Sequence, residues 1–104
     1  MNGIKVGFDF DNTLSNKSLV RIKAYNFAIS GFEVFIITKR PPEYSDEVYA
    51  VANQLRIPQS NIFFTSNGIK SPYIVKLGIT QFYDDCPENK IEIEANSSCT
   101  VNLV

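Results

Sequence analysis

Two aspartates, two positions apart, follow a short apolar run near the start of the chain. Alternation along an extended strand places Asp9 and Asp11 on the same side, so their carboxylates lie next to each other. Two like charges this close repel, and one of them takes up a proton unless a cation lies between them or water covers both. The pair therefore points to a site that binds a cation or handles a proton.

The overall composition narrows the chemistry further. The sequence contains no histidine, which excludes His-based triads, His proton shuttles and His-ligated zinc and leaves carboxylates for acid/base work. Lys and Arg number 10 against 11 Asp and Glu. The near balance of charge predicts no broad basic face of the kind that nonspecific nucleic-acid binding requires.

The chain has the length of one domain that folds without disulfides. It shows neither a signal-peptide pattern nor an apolar run long enough to span a membrane. Cys86 and Cys99 lack CxxC spacing, which favours reduced thiols in a reducing compartment. We expect a single domain over residues 1–104, located in the cytoplasm and without a membrane partner.

Strand-like and helix-like segments alternate along the sequence. The first strand is predicted to begin at Lys5 and to end in the acidic residues that follow it. Further strands are predicted at 32–38, 61–65, 80–83 and 100–104, and helices at 18–30, 45–55, 71–77 and 87–95. The first helix carries a broad apolar stripe of Leu19, Ile22 and Ile29, with Val20 and Ala24 alongside. Residues 91–94 alternate Ile and Glu, so a strand is the alternative to the last helix.

This alternation predicts βαβ units and a parallel five-stranded sheet with right-handed crossovers. The expected fold is a three-layer α/β/α Rossmann-like domain with strand order 5-4-1-2-3. The aromatic side chains of the strands are best taken as core rather than as a platform for stacking bases. They are Phe8, Phe10, Phe35, Phe63 and Phe64.

Polar side chains recur where these predicted strands end. Asp9 and Asp11 follow the first strand, Thr38 ends the second, and Asp84 and Asp85 follow the fourth. Open α/β sheets bind ligands at the carboxyl ends of their strands, at the point where the strand order reverses. If the fourth strand lies beside the first, the two acidic pairs face each other across that crevice.

These residues resemble the motifs of the haloacid dehalogenase superfamily, in its phosphatase form. Residues 8–13 match the DxDxT signature of that family, and the strand ending in Thr38 matches the second motif. Lys70 matches the third motif, and Asp84 with Asp85 matches the acidic fourth. The resemblance extends over essentially the whole chain. Only short segments separate the motifs, so no cap domain fits between them.

The resemblance implies a role for each motif residue in phosphomonoester hydrolysis. Asp9 would be the nucleophile that forms an aspartyl-phosphate, and Asp11 would protonate the leaving oxygen and later activate water. Thr38 and Lys70 would bind the oxygens of the transferring phosphoryl group.

The resemblance also implies Mg²⁺, a hard cation that prefers oxygen ligands. Its expected ligands are the carboxylates of Asp9 and Asp84, the backbone carbonyl of Asp11, water and a phosphate oxygen. Asp85 would ligate the ion directly or through water.

Several assignments have alternatives. Lys76 competes with Lys70 for the phosphate-binding role, although Lys76 ends a helix, where lysine commonly just complements the helix dipole. Lys39 and Arg40 either clamp the substrate or are solvated loop charges, and Asn12 is a further candidate for substrate contact. A hydroxyl at the end of a strand, such as that of Thr38, is also a common structural feature.

The absence of a cap leaves the crevice open, and an open crevice offers little wall to grip a small metabolite. The substrate is therefore expected to be a nucleotide, a phosphorylated nucleic-acid end or a phosphoprotein, or a neighbouring subunit of a homo-oligomer covers the site. One alternative is a noncatalytic module that binds phosphate or a partner. Another is a signalling receiver domain, which the missing acid after residues 63–65 disfavours.

Overall fold

Five parallel strands form one sheet in the computed structural model, which describes residues 4–104. The strands are β1 (Lys5–Phe8), β2 (Glu33–Thr38), β3 (Ile62–Phe64), β4 (Gln81–Asp84) and β5 (Thr100–Leu103). Their order across the sheet is β3-β2-β1-β4-β5, and every neighbouring pair is parallel. This is the predicted order read from the opposite edge. The first three residues of the predicted domain lie outside the described part of the chain.

Four α-helices connect these strands: α1 (Ser18–Ile29), α2 (Asp46–Gln54), α3 (Ser71–Leu77) and α4 (Pro87–Asn96). Three short helical turns lie at Phe10–Leu14, Pro42–Tyr44 and Gln59–Asn61. The last predicted helix, which corresponds to α4, is confirmed over its strand alternative. Its Ile93 is buried whereas Ile91 is exposed, because residues two positions apart point to different sides of a helix.

Helices pack against both faces of the sheet. Val6 and Phe8 of β1 join α1 and α2 in one apolar cluster, whereas Phe35 and Ile37 of β2 join α3 and α4 in another. The split follows from the alternation of side chains along a strand. All five phenylalanines predicted to be core residues are buried in one of these clusters or half-buried against it.

Only part of the apolar stripe of α1 is turned toward the core. Leu19 is 79% exposed, and Ile22 and Ile29 are each more than half exposed. The helix packs instead through Val20 and Ala24, which belong to the buried cluster on that face. Apolar residues lie around much of this helix, so their spacing does not say which side is turned inward.

The strand order reverses between β1 and β4. The chain runs outward from β1 to β2 and β3, then returns through α3 to place β4 on the other side of β1. Phe8 is paired with Tyr83, and the backbone N–H of Asp9 continues this pairing by donating to the Tyr83 carbonyl at 2.8 Å. The segments that follow β1 and β4 therefore leave the sheet side by side.

Two glycines have structural roles behind this edge, one through a close approach and one through a left-handed backbone. A Cβ on Gly7 would lie 2.6 Å from a ring carbon of Phe82, so only glycine lets β1 and β4 pack this way. Gly78 ends α3 in the left-handed conformation, with φ 77°, and its N–H donates to the Ile74 carbonyl. Among residues 4–104, no helix has the length and apolar character needed to cross a membrane.

Candidate active site

Asp9 lies buried at the carboxyl end of β1. Its backbone is held by β4, as described above, and its Oδ2 accepts a hydrogen bond of 3.2 Å from the hydroxyl of Thr13. Thr13 is itself fully buried in the helical turn that follows the strand. The sheet and the first turn after it thus fix both the position and the rotation of this carboxylate.

Asp84 ends β4 and is also buried. Its Oδ1 accepts the backbone N–H of Cys86 at 3.0 Å, and its Oδ2 accepts the side-chain amide of Asn89 at 3.0 Å. Asp85 follows and is half-buried. One carboxylate oxygen from each of Asp9, Asp84 and Asp85 lies within 4.8 Å of the others. Of the two acidic pairs predicted to face each other, Asp9, Asp84 and Asp85 therefore converge, whereas Asp11 does not belong to this group.

Lys70 reaches the centre of this group of carboxylates. Its ammonium donates to Asp9 Oδ1 at 2.8 Å and to Asp84 Oδ2 at 3.0 Å, and it lies 5.1 Å from the centre of the Phe82 ring. The Lys70 side chain is fully buried. Lys70 immediately precedes α3, at this edge of the sheet. Lys76, in contrast, is exposed in the last turn of α3. Of the two candidate lysines, the structure brings Lys70 to the aspartates.

The charges in this centre are not balanced by the protein alone. Lys70 forms ion pairs with Asp9 and Asp84, and Asp85 adds a third carboxylate to the group. Burial raises the pKa of Asp9 from 3.8 to about 7, the charge of Asp84 acts in the same direction, and Lys70 opposes both. A second cation would relieve this excess of negative charge. The oxygen donors and their spacing fit a hard divalent ion such as Mg²⁺.

Thr38 ends β2 and is fully buried. Its hydroxyl oxygen accepts the backbone N–H of Arg40 at 3.2 Å, and its carbonyl accepts the N–H of Thr65 at 2.8 Å. These contacts hold the loop after β2 against the end of β3. The phosphate-binding role of Thr38 stays a prediction, and the structural role of its hydroxyl is directly visible.

Asp11 lies at the mouth of the crevice, outside the group of three carboxylates. Both of its carboxylate oxygens accept hydrogen bonds from Arg40, at 2.8 to 3.2 Å. Arg40 also donates to Glu47 at 2.9 Å and to the carbonyl of Tyr44 at 3.0 Å. The hydrogen bonds to Asp11 are the main cause of the raised pKa of Arg40. We call Asp11, Arg40 and Glu47 the rim triad.

The other two predicted substrate contacts lie on the same open side. Asn12 is exposed and left-handed, with φ 57°, and its backbone N–H donates to the hydroxyl of Ser15 at 3.0 Å. Lys39 is half-buried, and its carbonyl accepts the N–H of Asn67 at 2.9 Å. The substrate-binding roles of Asn12 and Lys39 stay predictions.

Sequence reasoning missed two buried polar partners of the aspartates, Thr13 and Asn89. Thr13 was visible only as part of a motif, without a role. Asn89 lies in the first turn of α4, one helical turn before the buried Ile93. A polar residue on the inward face of a helix that follows an acidic strand end is the signal that would have found it.

No protein-family model matches the chain, and no curated protein matches it.

Proposed function

We propose that this chain is a Mg²⁺-dependent phosphomonoester hydrolase, a small capless member of the haloacid dehalogenase superfamily. One observation carries the proposal: carboxylate oxygens of Asp9, Asp84 and Asp85 lie within 4.8 Å of one another beside a buried ammonium. This combination concentrates charge where an oxygen-rich cation site and a nucleophile are both needed.

Asp9, Asp84 and Asp85 are the carboxylates that would hold Mg²⁺, with the backbone carbonyl of Asp11 as a further ligand. When bound, the ion would neutralise part of the phosphate charge and favour the ionised form of the carboxylates. An ionised Asp9 matters because only the carboxylate is nucleophilic, and the raised pKa of Asp9, about 7, keeps a share of it protonated near neutral pH.

The reaction proceeds in two displacements at phosphorus. In the first, an Asp9 oxygen forms a bond to phosphorus while the bond to the leaving oxygen breaks, and Asp11 gives that oxygen its proton. In the second, Asp11 takes a proton from water and the water oxygen bonds to phosphorus. The bond between Asp9 and phosphorus breaks, which restores the Asp9 carboxylate and frees inorganic phosphate. Lys70 and Thr38 hold the phosphoryl oxygens during both steps.

The substrate proposal follows from the open crevice. The loops after β1 and β2 carry exposed or half-buried polar side chains rather than an apolar enclosure. A nucleotide, a phosphorylated nucleic-acid end or a phosphoprotein would bring its own bulk to cover the reacting group. A second subunit over the crevice would serve the same purpose.

A phosphate-release assay over a panel of these phosphomonoesters, with and without EDTA, tests the proposal. We expect release that needs Mg²⁺, stops with EDTA and is lost in Asp9→Asn. Release that persists in Asp9→Asn, or absence of release from the whole panel, would count against a phosphatase. Mg²⁺ binding without turnover would favour the noncatalytic binding module instead.

A further inference from the structure

The guanidinium of Arg40 is almost fully used by protein partners. Its Nε donates to both oxygens of Asp11, and its Nη2 donates to Asp11 Oδ1 at 2.8 Å and to Glu47 at 2.9 Å. Its Nη1 donates to the Tyr44 carbonyl at 3.0 Å. Four of the five N–H groups of the forked guanidinium are thereby engaged. One N–H group is left to donate to a substrate phosphate.

The same guanidinium is anchored from behind. It lies 4.9 Å from the centre of the Phe10 ring, and the backbone N–H of Arg40 donates to the buried hydroxyl of Thr38. The Arg40 side chain is only 21% exposed, whereas that of Asp11 is 51% exposed. Arg40 is thus the fixed member of the pair, and Asp11 is the member that would otherwise move.

We propose that Arg40 is a positioning residue, which aligns the Asp11 carboxylate for proton transfer rather than clamping the substrate. This role rests on the proposed function, in which Asp11 serves the leaving oxygen. Nε and Nη2 both donate to Asp11 Oδ1, so the guanidinium can hold the side chain through that oxygen while Oδ2 carries the proton that is transferred. Glu47 and Tyr44 hold the other side of the fork, so that the orientation of Asp11 is tied to the start of α2.

Proton transfer needs the carboxyl group within hydrogen-bond reach of the leaving oxygen. An exposed side chain on a loop samples several rotamers, so losing the fork would lower the fraction of complexes in which Asp11 is aligned. The loss should depend on the leaving group. An alkoxide needs a proton as it leaves, whereas p-nitrophenolate is stable without one.

The test compares Arg40→Ala with wild type on glycerol 2-phosphate and p-nitrophenyl phosphate. We expect kcat/KM on the glycerol ester to fall about 10²-fold and on p-nitrophenyl phosphate by less than about 5-fold, because kcat/KM reports the steps up to departure of the leaving group and not the later attack of water. Asp11→Asn should show the same selectivity. Added guanidinium ion should restore part of the lost rate in Arg40→Ala, and Arg40→Lys should recover less because ammonium has no fork.

Glu43→Gln is the matched control, because Glu43 lies in the turn beside Arg40 and no hydrogen bond joins the two within residues 4–104. It should keep wild-type rates on both substrates. The ¹⁵N signal of the Arg40 Nε–H gives a readout without turnover. It should shift in Asp11→Asn and stay in place in Glu43→Gln.

Three results would overturn the positioning role while leaving the phosphatase proposal intact. They are a higher KM at constant kcat in Arg40→Ala, an equal loss of kcat/KM on both substrates, and an Nε–H signal that does not respond to Asp11→Asn. If wild type releases no phosphate in the presence of Mg²⁺, the proposed function fails, and the positioning role fails with it.

Discussion

The buried centre of the candidate site and its exposed rim both pair carboxylates with a cation, yet they do so under opposite conditions. In the centre, Asp9 and Asp84 share the ammonium of Lys70, and the side chains of Lys70 and Asp84 are fully buried. At the rim, the carboxylates of Asp11 and Glu47 are each more than half exposed around the guanidinium of Arg40.

This contrast separates two kinds of chemistry. Charge is costly in the centre, as the raised pKa of Asp9 shows, so the residues there depend on one another and favour an added cation. Charge costs less at the rim, where water screens each exposed carboxylate. Under the proposed function, the first setting suits a nucleophile that a bound cation keeps ionised, and the second suits a group that exchanges protons with solvent.

The largest expected effect is a loss of phosphate release when the buried centre is changed, with no loss for a change beside the rim. Asp9→Asn should lower Mg²⁺-dependent phosphate release by at least about 10³-fold, because an amide cannot attack phosphorus. Glu43→Gln, beside the rim triad, should remain at the wild-type rate. Steady-state assays on one phosphomonoester measure both variants. Equal rates for Asp9→Asn and wild type would place the chemistry elsewhere.

The second prediction concerns the stability of the metal-free protein. Lys70→Met removes the ammonium shared by two buried carboxylates, and it should lower the free energy of unfolding by about 3–5 kcal/mol at neutral pH. Lys76→Met, at an exposed position in α3, should change it by less than about 0.5 kcal/mol. Urea titrations measure both. Similar midpoints for the two variants would show that the centre does not depend on Lys70.

The third prediction is a pH dependence that belongs to the centre. The folded protein binds the Asp9 proton more tightly than the unfolded chain, because the pKa of Asp9 is raised from 3.8 to about 7. The resulting stabilisation is fully present below about pH 4 and is lost as pH rises toward 7, by at most about 1.4 kcal/mol per pH unit.

Urea titrations of metal-free wild type and Asp9→Asn between about pH 4 and about pH 7 measure this dependence. The free energy of unfolding should fall less steeply with rising pH in the variant, because the asparagine side chain has no proton to lose in this range. Saturating Mg²⁺ should also weaken it in wild type, since the ion favours the carboxylate. The same slope in wild type and Asp9→Asn would rule out Asp9 as its source.

The smallest effect is expected at the rim. Glu47→Gln removes one exposed partner of Arg40 and should change the free energy of unfolding by about 0–1 kcal/mol, less at high salt. Urea titrations at low and high ionic strength measure it. A loss as large as that of Lys70→Met would mean that the rim is as interdependent as the centre.

The centre could be predicted from the sequence, because strand geometry places it. Asp9 and Asp84 end neighbouring parallel strands, and both strand ends are marked by apolar runs that stop at acid. The choice of Lys70 over Lys76 followed from its place before a helix start. The fold class, the parallel sheet and the strand order were predictable for the same reason.

The rim could not be predicted in this way. Asp11 and Arg40 are 29 positions apart. Asp11 lies in the irregular turn after β1 and Arg40 in the loop after β2, and the paths of such segments depend on local turns rather than on a periodic pattern. The pairing of Arg40 with Asp11 and Glu47 therefore appeared only in the structure. The inward side of α1 was also undetermined, because apolar residues surround that helix.

Calorimetric titration of the protein with Mg²⁺ tests the central claim most directly. The convergence of Asp9, Asp84 and Asp85 predicts one saturable site per chain, with an affinity that falls at least about tenfold in Asp85→Asn. Asp46→Asn, which removes an exposed carboxylate at the start of α2, should bind like wild type. Absence of saturable binding, or equal affinity in wild type and Asp85→Asn, would contradict a divalent-cation site at this edge of the sheet.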